Sequence, residues 1–274
     1  MTEQNKDSAS PNHQKADPKK KKRTVIVLSI ALVVLLCAIS AAGWVLYQQN
    51  MQLDNAAQEA QDAPVPETPQ QTEPEPVDNP IDFAELQAQN PDIYAWLYVP
   101  NTNVNYPVLQ HAADDTYYLH YNRYYEWSFE GALFSQSMNS KDFTDPVTLI
   151  YGHNNANGAM FATLHYFEDP TFFDQNEFFY IYTPDSILTY RIVAAYEYDD
   201  RHILNSFDFK NESVLASYFD SVLHPNSMLV NEREGAQLST DDRIVQLSTC
   251  MNGVGKGNNR YLVTGVLTDE QPTK

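Results

Sequence analysis

Apolar residues follow three patterns along the 274-residue chain, and each pattern predicts a different kind of structure. Residues 24–47 form an apolar run that no charged residue interrupts. At about 1.5 Å of rise per residue, a helix over this run is long enough to span a hydrocarbon core of about 30 Å. Residues 48–80 are rich in Gln, Glu, Asp and Pro, which indicates an extended linker. Residues 81–274 alternate short apolar runs with turn residues, which predicts one folded domain.

Short β-prone runs dominate this domain and predict a mainly β fold with added helices. Turn residues separate the runs, as in Thr183-Pro-Asp-Ser. Seven short strands in one domain favour a barrel or a sandwich. The predicted strands cover residues 104–110, 131–135, 147–151, 178–183, 188–198, 243–247 and 261–268.

Helical patterns occur at three places in the domain. Asp82 and Glu85 have the spacing of a capping box at the start of a first helix, and we expect a further helical turn over residues 93–96. Apolar residues at helical spacing predict two later helices, over residues 158–168 and 212–223.

The charge distribution orients the apolar run across a membrane. Residues 1–23 hold seven of the 17 basic residues and three of the 36 acidic residues, and a basic block at 19–23 directly precedes the run. The positive-inside rule then places residues 1–23 in the cytoplasm as a basic tail. We therefore expect a single-pass cell-membrane protein whose residues 48–274 lie outside the membrane.

The part of the chain after residue 23 is strongly acidic. Subtracting the tail's residues leaves 10 basic and 33 acidic residues, and hence a net charge of −23. Nucleic-acid binding needs a basic surface, so we expect no nucleic-acid partner.

Cys250 is the only cysteine outside the apolar run, so an external domain offers it no disulfide partner. It ends one predicted strand, and Arg260 begins the next after a loop rich in Gly and Asn. If the two strands are neighbours, the thiol and the guanidinium face the same space. A nearby cation or base activates a thiol as a nucleophile. Spacing alone is equally consistent with a buried structural cysteine.

His153 is the histidine best placed to act as a base. It follows the predicted strand 147–151 by one glycine, in a turn where a side chain can face a cleft. The other histidines of the domain are expected to be exposed or structural: His111, His120, His165, His202 and His224. His111 and His120 do not have metal-ligand spacing, and we expect neither a metal nor a cofactor.

Two segments of the chain resemble the active-site motifs of sortases, the membrane-anchored cysteine transpeptidases of Gram-positive bacteria. Leu247-Ser-Thr-Cys250 followed by Arg260 is similar to the cysteine signature of that family. Tyr151-Gly-His153-Asn154, followed by residues 158–164, is similar to its histidine segment. Residues 90–97 resemble the helical N-terminal extension of class B sortases, and the strands after it and the helix at 212–223 are also typical of that class.

The resemblance covers about residues 82–268 and implies a fold and a set of roles. The fold is a closed β-barrel of about eight strands with an N-terminal helical extension and a helix inserted between late strands. Cys250 is then the nucleophile, His153 the general acid and base, and Arg260 the group that stabilises substrate and oxyanion. The residues expected to bind substrate are Asn154, Leu247, Ser248, Thr249 and Asn252.

The resemblance also implies the partners. The first is a secreted protein whose C-terminal sorting motif is cleaved after Thr. The second is an amine, such as a peptidoglycan precursor peptide or a pilin lysine, that receives the acyl group. Two other functions stay open at this point: a membrane-anchored cysteine peptidase that only hydrolyses the motif, and a non-catalytic surface scaffold with an inert Cys250.

The chain departs from the sortase pattern at two places. Gln246 occupies the position where the signature usually begins with Thr. Many class B sortases carry an acidic residue shortly after the cysteine that is proposed to orient the histidine, but residues 251–259 contain none. We therefore expect Asn154, Asn252 or a distant Asp to orient His153, or no group at all.

Overall fold

The computed structural model describes residues 40–52, 54–55, 58, 76–251 and 257–274. The predicted tail 1–23 lies outside these ranges, as do most of the predicted span 24–47 and most of the linker 48–80. Residues 40–52 are helical. Within the described ranges, no helix combines the length and the apolar character needed to cross a membrane.

The described chain forms a nine-stranded sheet in which eight strands close into a barrel. Strands lie in the order β5-β1-β2-β3-β4-β8-β9-β6-β7, and a further pairing of β5 with β6 closes the barrel. This confirms the predicted closed barrel of about eight strands. The strands are β1 (Ile93–Tyr98), β2 (Asn105–Leu109), β3 (Leu133–Phe134), β4 (Val147–Tyr151), β5 (Phe178–Tyr182), β6 (Ser186–Tyr198), β7 (Val230–Glu232), β8 (Ile244–Cys250) and β9 (Arg260–Pro272).

The long strands β6 and β9 let the sheet curve into a barrel. Their antiparallel register shifts between Thr189 and Tyr190 and again between Ile192 and Ala194. Such irregularities bend a strand and increase its twist. One end of β6 can therefore pair with β5 and the other with β7.

The barrel interior is filled by apolar side chains from all eight strands of the barrel. Leu97, Val108, Ile150, Leu247 and Val263 belong to five different strands, and all are fully buried in one cluster. Burying a side chain of this size contributes about 1.5–3 kcal/mol. The barrel is thus a packed core, and the reacting groups lie at strand ends.

The predicted helical turn over residues 93–96 is wrong, because these residues belong to β1. The run Ile-Tyr-Ala-Trp-Leu-Tyr consists mostly of β-branched and aromatic residues, which fit a pleated strand. β1 pairs with β2 on one side and with β5 on the other, so nearly all its side chains are buried. In the described chain, the helical part of the extension is α1 (Phe83–Gln89), and Asp82 caps it by accepting from Glu85 N at 2.9 Å.

The predicted helix over 158–168 is shorter and of a different kind. Met160 has a left-handed φ of 55°, and an isolated bridge pairs it with Asn154. Of the predicted residues, Ala162–Glu168 form a helix, which is a 3₁₀ helix. The residues before it form the turn at Met160 instead. The helix α2 (Pro170–Gln175) follows directly.

The predicted helix over 212–223 is confirmed. After the short helix α3 (Ile203–Ser206), α4 (Glu212–Leu223) lies between β6 and β7 in the chain. Asn211 caps it by accepting from Ser213 N and Val214 N. Its apolar face, with Tyr218 and Phe219, packs in a second core cluster outside the barrel.

Candidate active site

Cys250 and Arg260 face each other across the ends of two neighbouring strands. β8 and β9 are antiparallel, and their register places Cys250 opposite Arg260. Arg260 Nη1 lies 3.5 Å from Cys250 Sγ and donates to Asn258 O at 2.7 Å. Cys250 is exposed, whereas the preceding residues of β8 are buried. The site therefore combines an exposed nucleophilic side chain with a fixed positive charge next to its sulfur.

The main chain before His153 is joined to the strand that carries the cysteine. β4 runs parallel to β8, with Tyr151 opposite Ser248. Gly152 N donates to Ser248 O at 3.1 Å, and Thr249 Oγ1 donates to Gly152 O at 2.8 Å. These bonds fix His153 at the same end of the barrel as Cys250.

The imidazole of His153 is oriented by a main-chain carbonyl. Its Nε2 lies 2.8 Å from Leu119 O, at the end of the 3₁₀ helix Tyr117–Leu119. A carbonyl only accepts, so Nε2 carries the hydrogen and Nδ1 has the free lone pair in the neutral ring. Gly131 makes this carbonyl accessible, because a Cβ there would lie 2.5 Å from Tyr118 O and 3.0 Å from Leu119 O.

The three residues expected to react are therefore not all in contact. Cys250 contacts Arg260 directly. Within the described residues, no hydrogen bond joins His153 to Cys250. The orienting group that sequence reasoning missed is the carbonyl of Leu119, whose contact depends on tertiary structure and leaves no motif.

The residues expected to bind substrate lie in different surroundings. Leu247 is fully buried in the barrel core, and Ser248 and Thr249 are also buried. Asn154 Nδ2 donates to Cys250 O at 2.9 Å, so this side chain supports the main chain at the nucleophile. Asn252 lies outside the described residues. The substrate contacts of these residues stay predictions.

His165 is part of the site, although its sequence position suggested an exposed or structural role. Its Nε2 lies 3.0 Å from Cys250 O, and its Nδ1 lies 2.5 Å from Glu168 Oε1. The side chain is 8% exposed and its ring stacks on Tyr261. The sequence signal that could have revealed this pair is the three-residue spacing of His165 and Glu168, which brings two side chains together on a helix.

Gln246, the departure from the usual signature, holds three elements together. Its buried side chain accepts from Tyr218 OH at 2.6 Å and donates to Thr264 Oγ1 at 3.0 Å and to Tyr196 OH at 3.3 Å. These partners lie on α4, β9 and β6. The Gln246 side chain is longer than the usual Thr, and its hydrogen bonds join the nucleophile's strand β8 to the inserted helix α4.

Burial shifts the pKa of a tyrosine at this end of the barrel. Desolvation raises the pKa of Tyr151 to about 12, although the charge of Arg260 acts in the opposite direction. Tyr151 OH also donates to Gln136 Oε1 at 3.3 Å. This tyrosine therefore stays neutral at ordinary pH.

Known proteins similar to this chain include several sortases. Residues 97–268 match the model of the sortase domain family. The sequence is 30% identical to that of sortase B of Listeria monocytogenes over an alignment of 186 residues. This alignment covers 68% of this chain and 74% of the Listeria protein. The solved structure of Clostridium perfringens sortase B superposes with a TM-score of 0.59, and its sequence is 29% identical to this one. The match covers 69% of this chain and 100% of the Clostridium chain. A class B sortase of Streptococcus pyogenes, described as involved in pilus biogenesis, is 28% identical with a TM-score of 0.58, over 69% of this chain and 98% of that one.

Proposed function

The chain belongs to the sortase family, in its class B of cysteine transpeptidases, and from this premise we propose a specific reaction. The chain cleaves a C-terminal sorting motif of a secreted protein after Thr and transfers the acyl group to a cell-wall or pilin amine. The observation that carries the proposal is the exposed Cys250 thiol, 3.5 Å from the guanidinium of Arg260.

The first step forms a thioester on Cys250. The thiolate Sγ attacks the carbonyl carbon after Thr, and the carbonyl oxygen takes up the negative charge. Arg260 is the cation next to the sulfur and can stabilise that oxyanion. The C–N bond then breaks, and the leaving amine takes a proton.

His153 supplies that proton in our proposal. Because Nε2–H is bound to Leu119 O, Nδ1 is the nitrogen that gains and loses the proton. Among the described residues His153 makes no direct bond to Cys250, which fits a histidine that serves the leaving amine. General acid catalysis of this kind contributes about 10²- to 10⁴-fold in rate.

The second step transfers the acyl group to an amine. The acceptor amine attacks the thioester carbon and gives a proton to His153 Nδ1, and the C–S bond breaks to restore the thiolate. The products are a new amide and the free enzyme. Relatives support two kinds of acceptor, because one solved structure is a sortase B complexed with triglycine and another is a sortase involved in pilus biogenesis.

We further propose that this domain works outside the cell membrane. The charge-free run 24–47 and the basic block before it are the support for a single span with the tail 1–23 inside. Protease added to intact cells should remove the domain 81–274 and leave the tail protected. A domain that is degraded only after cell lysis would contradict this placement.

A peptide assay with two amine acceptors tests the reaction and its acceptor. The full chain is incubated with sorting-motif peptides in buffer alone, with triglycine, or with a lysine-containing peptide. We expect an acyl–acceptor conjugate to form and cleavage to accelerate when the right amine is present. Cleavage that no amine alters would favour the hydrolase.

The scaffold alternative is tested by the same assay on a variant. Cys250→Ala removes the sulfur with little change in volume and should abolish both cleavage and conjugate formation. Unchanged cleavage in this variant would refute Cys250 as the nucleophile, whereas no cleavage by the wild type would favour the scaffold. The exposure of Cys250 already argues against an inert, buried thiol.

A further inference from the structure

A second histidine–carboxylate pair lies beside the nucleophile, and the mechanism above leaves it unused. His165 and Glu168 are part of the 3₁₀ helix Ala162–Glu168. The His165 ring is stacked on Tyr261 with centroids 5.0 Å apart, and the side chain is almost fully buried. Packing and polar contacts on both ring nitrogens hold the imidazole in one orientation.

The contacts define which hydrogen each ring nitrogen carries. An ionised Glu168 only accepts, so Nδ1–H donates to it in either charge state of the ring. Nε2 lies 3.0 Å from Asn154 Nδ2, a donor, and 3.0 Å from Cys250 O, an acceptor. In the neutral ring Nε2 accepts from Asn154, and in the cationic ring it donates to Cys250 O.

Proton uptake by His165 therefore changes the surroundings of the nucleophile. It adds a second donor to Cys250 O, which already accepts from Asn154 at 2.9 Å. It also places a positive charge beside the residue that carries the thiol. Arg260 contacts the sulfur of that residue, so the two cations act on Cys250 from its side chain and from its main chain.

Groups from three elements surround the His165 ring. Glu168 on the same helix is its counter-ion, at 2.5 Å. From β9 the ring faces Tyr261, whose pKa is raised by burial, so this partner is neutral. From β8 it faces Cys250, and beyond it lies Arg260. The charged group in direct contact with the imidazole is thus a carboxylate.

We propose that His165, oriented by Glu168, is a positioning residue for the Cys250 nucleophile; this rests on the proposed transpeptidase function. It anchors the main chain of Cys250 at the end of β8. In its cationic form it raises the fraction of Cys250 present as thiolate.

The test measures thiol reactivity, which needs no sorting peptide. The full-length chain is alkylated with iodoacetamide from pH 5 to pH 9, and peptide mass spectrometry follows modification of Cys250 separately from Cys37. His165→Gln keeps a hydrogen-bond donor without the charge, and His165→Phe keeps the ring stacking without either. Glu168→Gln keeps the shape of the counter-ion but not its charge.

Loss of the cation should move the alkylation profile towards higher pH. We expect the midpoint to rise by about half to one pH unit in the two His165 variants, and by less in Glu168→Gln. One unit lowers the thiolate fraction about tenfold at pH values below the midpoint. His224→Gln, which removes an exposed histidine at the end of α4, should match the wild type.

Kinetics on sorting peptide separate positioning from binding. We expect His165→Gln to lower kcat by about three- to tenfold, following the thiolate fraction, with KM within about twofold of wild type. Superimposable alkylation profiles for wild type, His165→Gln and Glu168→Gln would overturn the proposal. If His165→Phe does not fold, the His165→Gln and Glu168→Gln variants decide the outcome. Since alkylation is independent of transpeptidation, a chain without transpeptidase activity but with the shifted profile would refute the proposed function alone.

Discussion

At the residue scale, two of the proposed reacting side chains are each held by a main-chain carbonyl. Arg260 Nη1 donates to Asn258 O, and His153 Nε2 donates to Leu119 O. The bond to His153 settles which ring nitrogen is left for chemistry, because a carbonyl only accepts. For His153 that atom is Nδ1. For Arg260 the orientation directs the guanidinium at Cys250 Sγ.

Substitutions of Arg260 test whether the reaction needs only a positive charge at this position or also the shape of the guanidinium. We expect Arg260→Ala to lower kcat/KM by about 10²- to 10³-fold, the loss typical for one oxyanion donor. Arg260→Lys keeps the charge but replaces the planar guanidinium, whose Nη1 lies near both Cys250 Sγ and Asn258 O, with an ammonium on a flexible stem, so it should recover only part of the activity. The peptide-conjugation assay measures both variants. Full activity in Arg260→Ala would contradict the role of the guanidinium.

Thr249→Val tests the bond that joins the two strands of the site. The variant keeps the volume but leaves the carbonyl of Gly152 without its 2.8 Å donor, and we expect a loss of about 1–3 kcal/mol in the free energy of unfolding. Urea denaturation measures it. The matched control is Thr268→Val, since exposed Thr268 also donates to a strand carbonyl, at 3.1 Å, and its loss should cost less than about 0.5 kcal/mol. Equal losses in the two variants would contradict the special role of Thr249.

Some residues of the site were predictable from the sequence and others were not. Cys250 and Arg260 were expected to face each other, since strand ends flanking one loop are neighbours in an antiparallel pair. His165 was missed because helical periodicity gives a residue's face but not the strand end that it meets. The Leu119 carbonyl was missed because any residue supplies a carbonyl, and only the barrel brings it to His153.

At the element scale, the site depends on the parallel pairing of β4 with β8. The pairing runs over five residue pairs and ends at Tyr151 and Ser248. Gly152 follows, and its missing side chain lets Leu133 and Phe161 pack against the main chain before His153. A glycine is needed here for close approach and not for its backbone angles.

Gly152→Ala should therefore disturb the site more than the barrel. An added Cβ would lie 2.5 Å from Leu133 Cδ2 and 2.7 Å from Phe161, and overpacking of this kind costs about 1–3 kcal/mol. We expect a loss of activity beyond that explained by lower stability, because the strain shifts His153. The control is Asn211→Ala, which removes the cap of α4 at a cost of about 1 kcal/mol away from His153. Activity that falls equally in both variants at matched stability would contradict this account.

The elements show where sequence patterns suffice. The helix over 212–223 was predicted at both ends from its apolar spacing, and Asn211 caps it in the structure. Residues 93–98 were taken in part for a helix, although their aromatic and β-branched composition suits the strand that the structure has. Short apolar runs fit either element, and the neighbours β2 and β5 decide the outcome.

At the scale of the whole molecule, buried tyrosines fill much of the structure. Desolvation raises the pKa of Tyr151 to about 12 and raises that of Tyr94, Tyr182, Tyr190 and Tyr196 further. The ordinary value is about 10, so the unfolded chain ionises first as the pH rises. The stability that neutral burial provides is therefore complete below pH 10 and is lost as the pH rises towards the folded pKa values.

Alkaline titration measures this loss. We expect the free energy of unfolding in urea to fall steeply above about pH 10, and the 295 nm absorbance of tyrosinate from these residues to appear together with unfolding. Spectra at fixed urea concentrations separate exposed from buried rings. Complete tyrosine ionisation with a midpoint near pH 10 in a chain that stays folded would contradict the buried state of these residues.

In the proposed reaction Cys250 forms an acyl thioester, and an amine then resolves it. Intact-mass spectrometry of the full chain mixed with a library of sorting-motif peptides detects this thioester. We expect an adduct of acyl mass on Cys250, absent in Cys250→Ala, that disappears when an amine acceptor is added and yields an acyl–amine conjugate. An unmodified Cys250 with every peptide, or equal conjugate formation by Cys250→Ala, would contradict the claim.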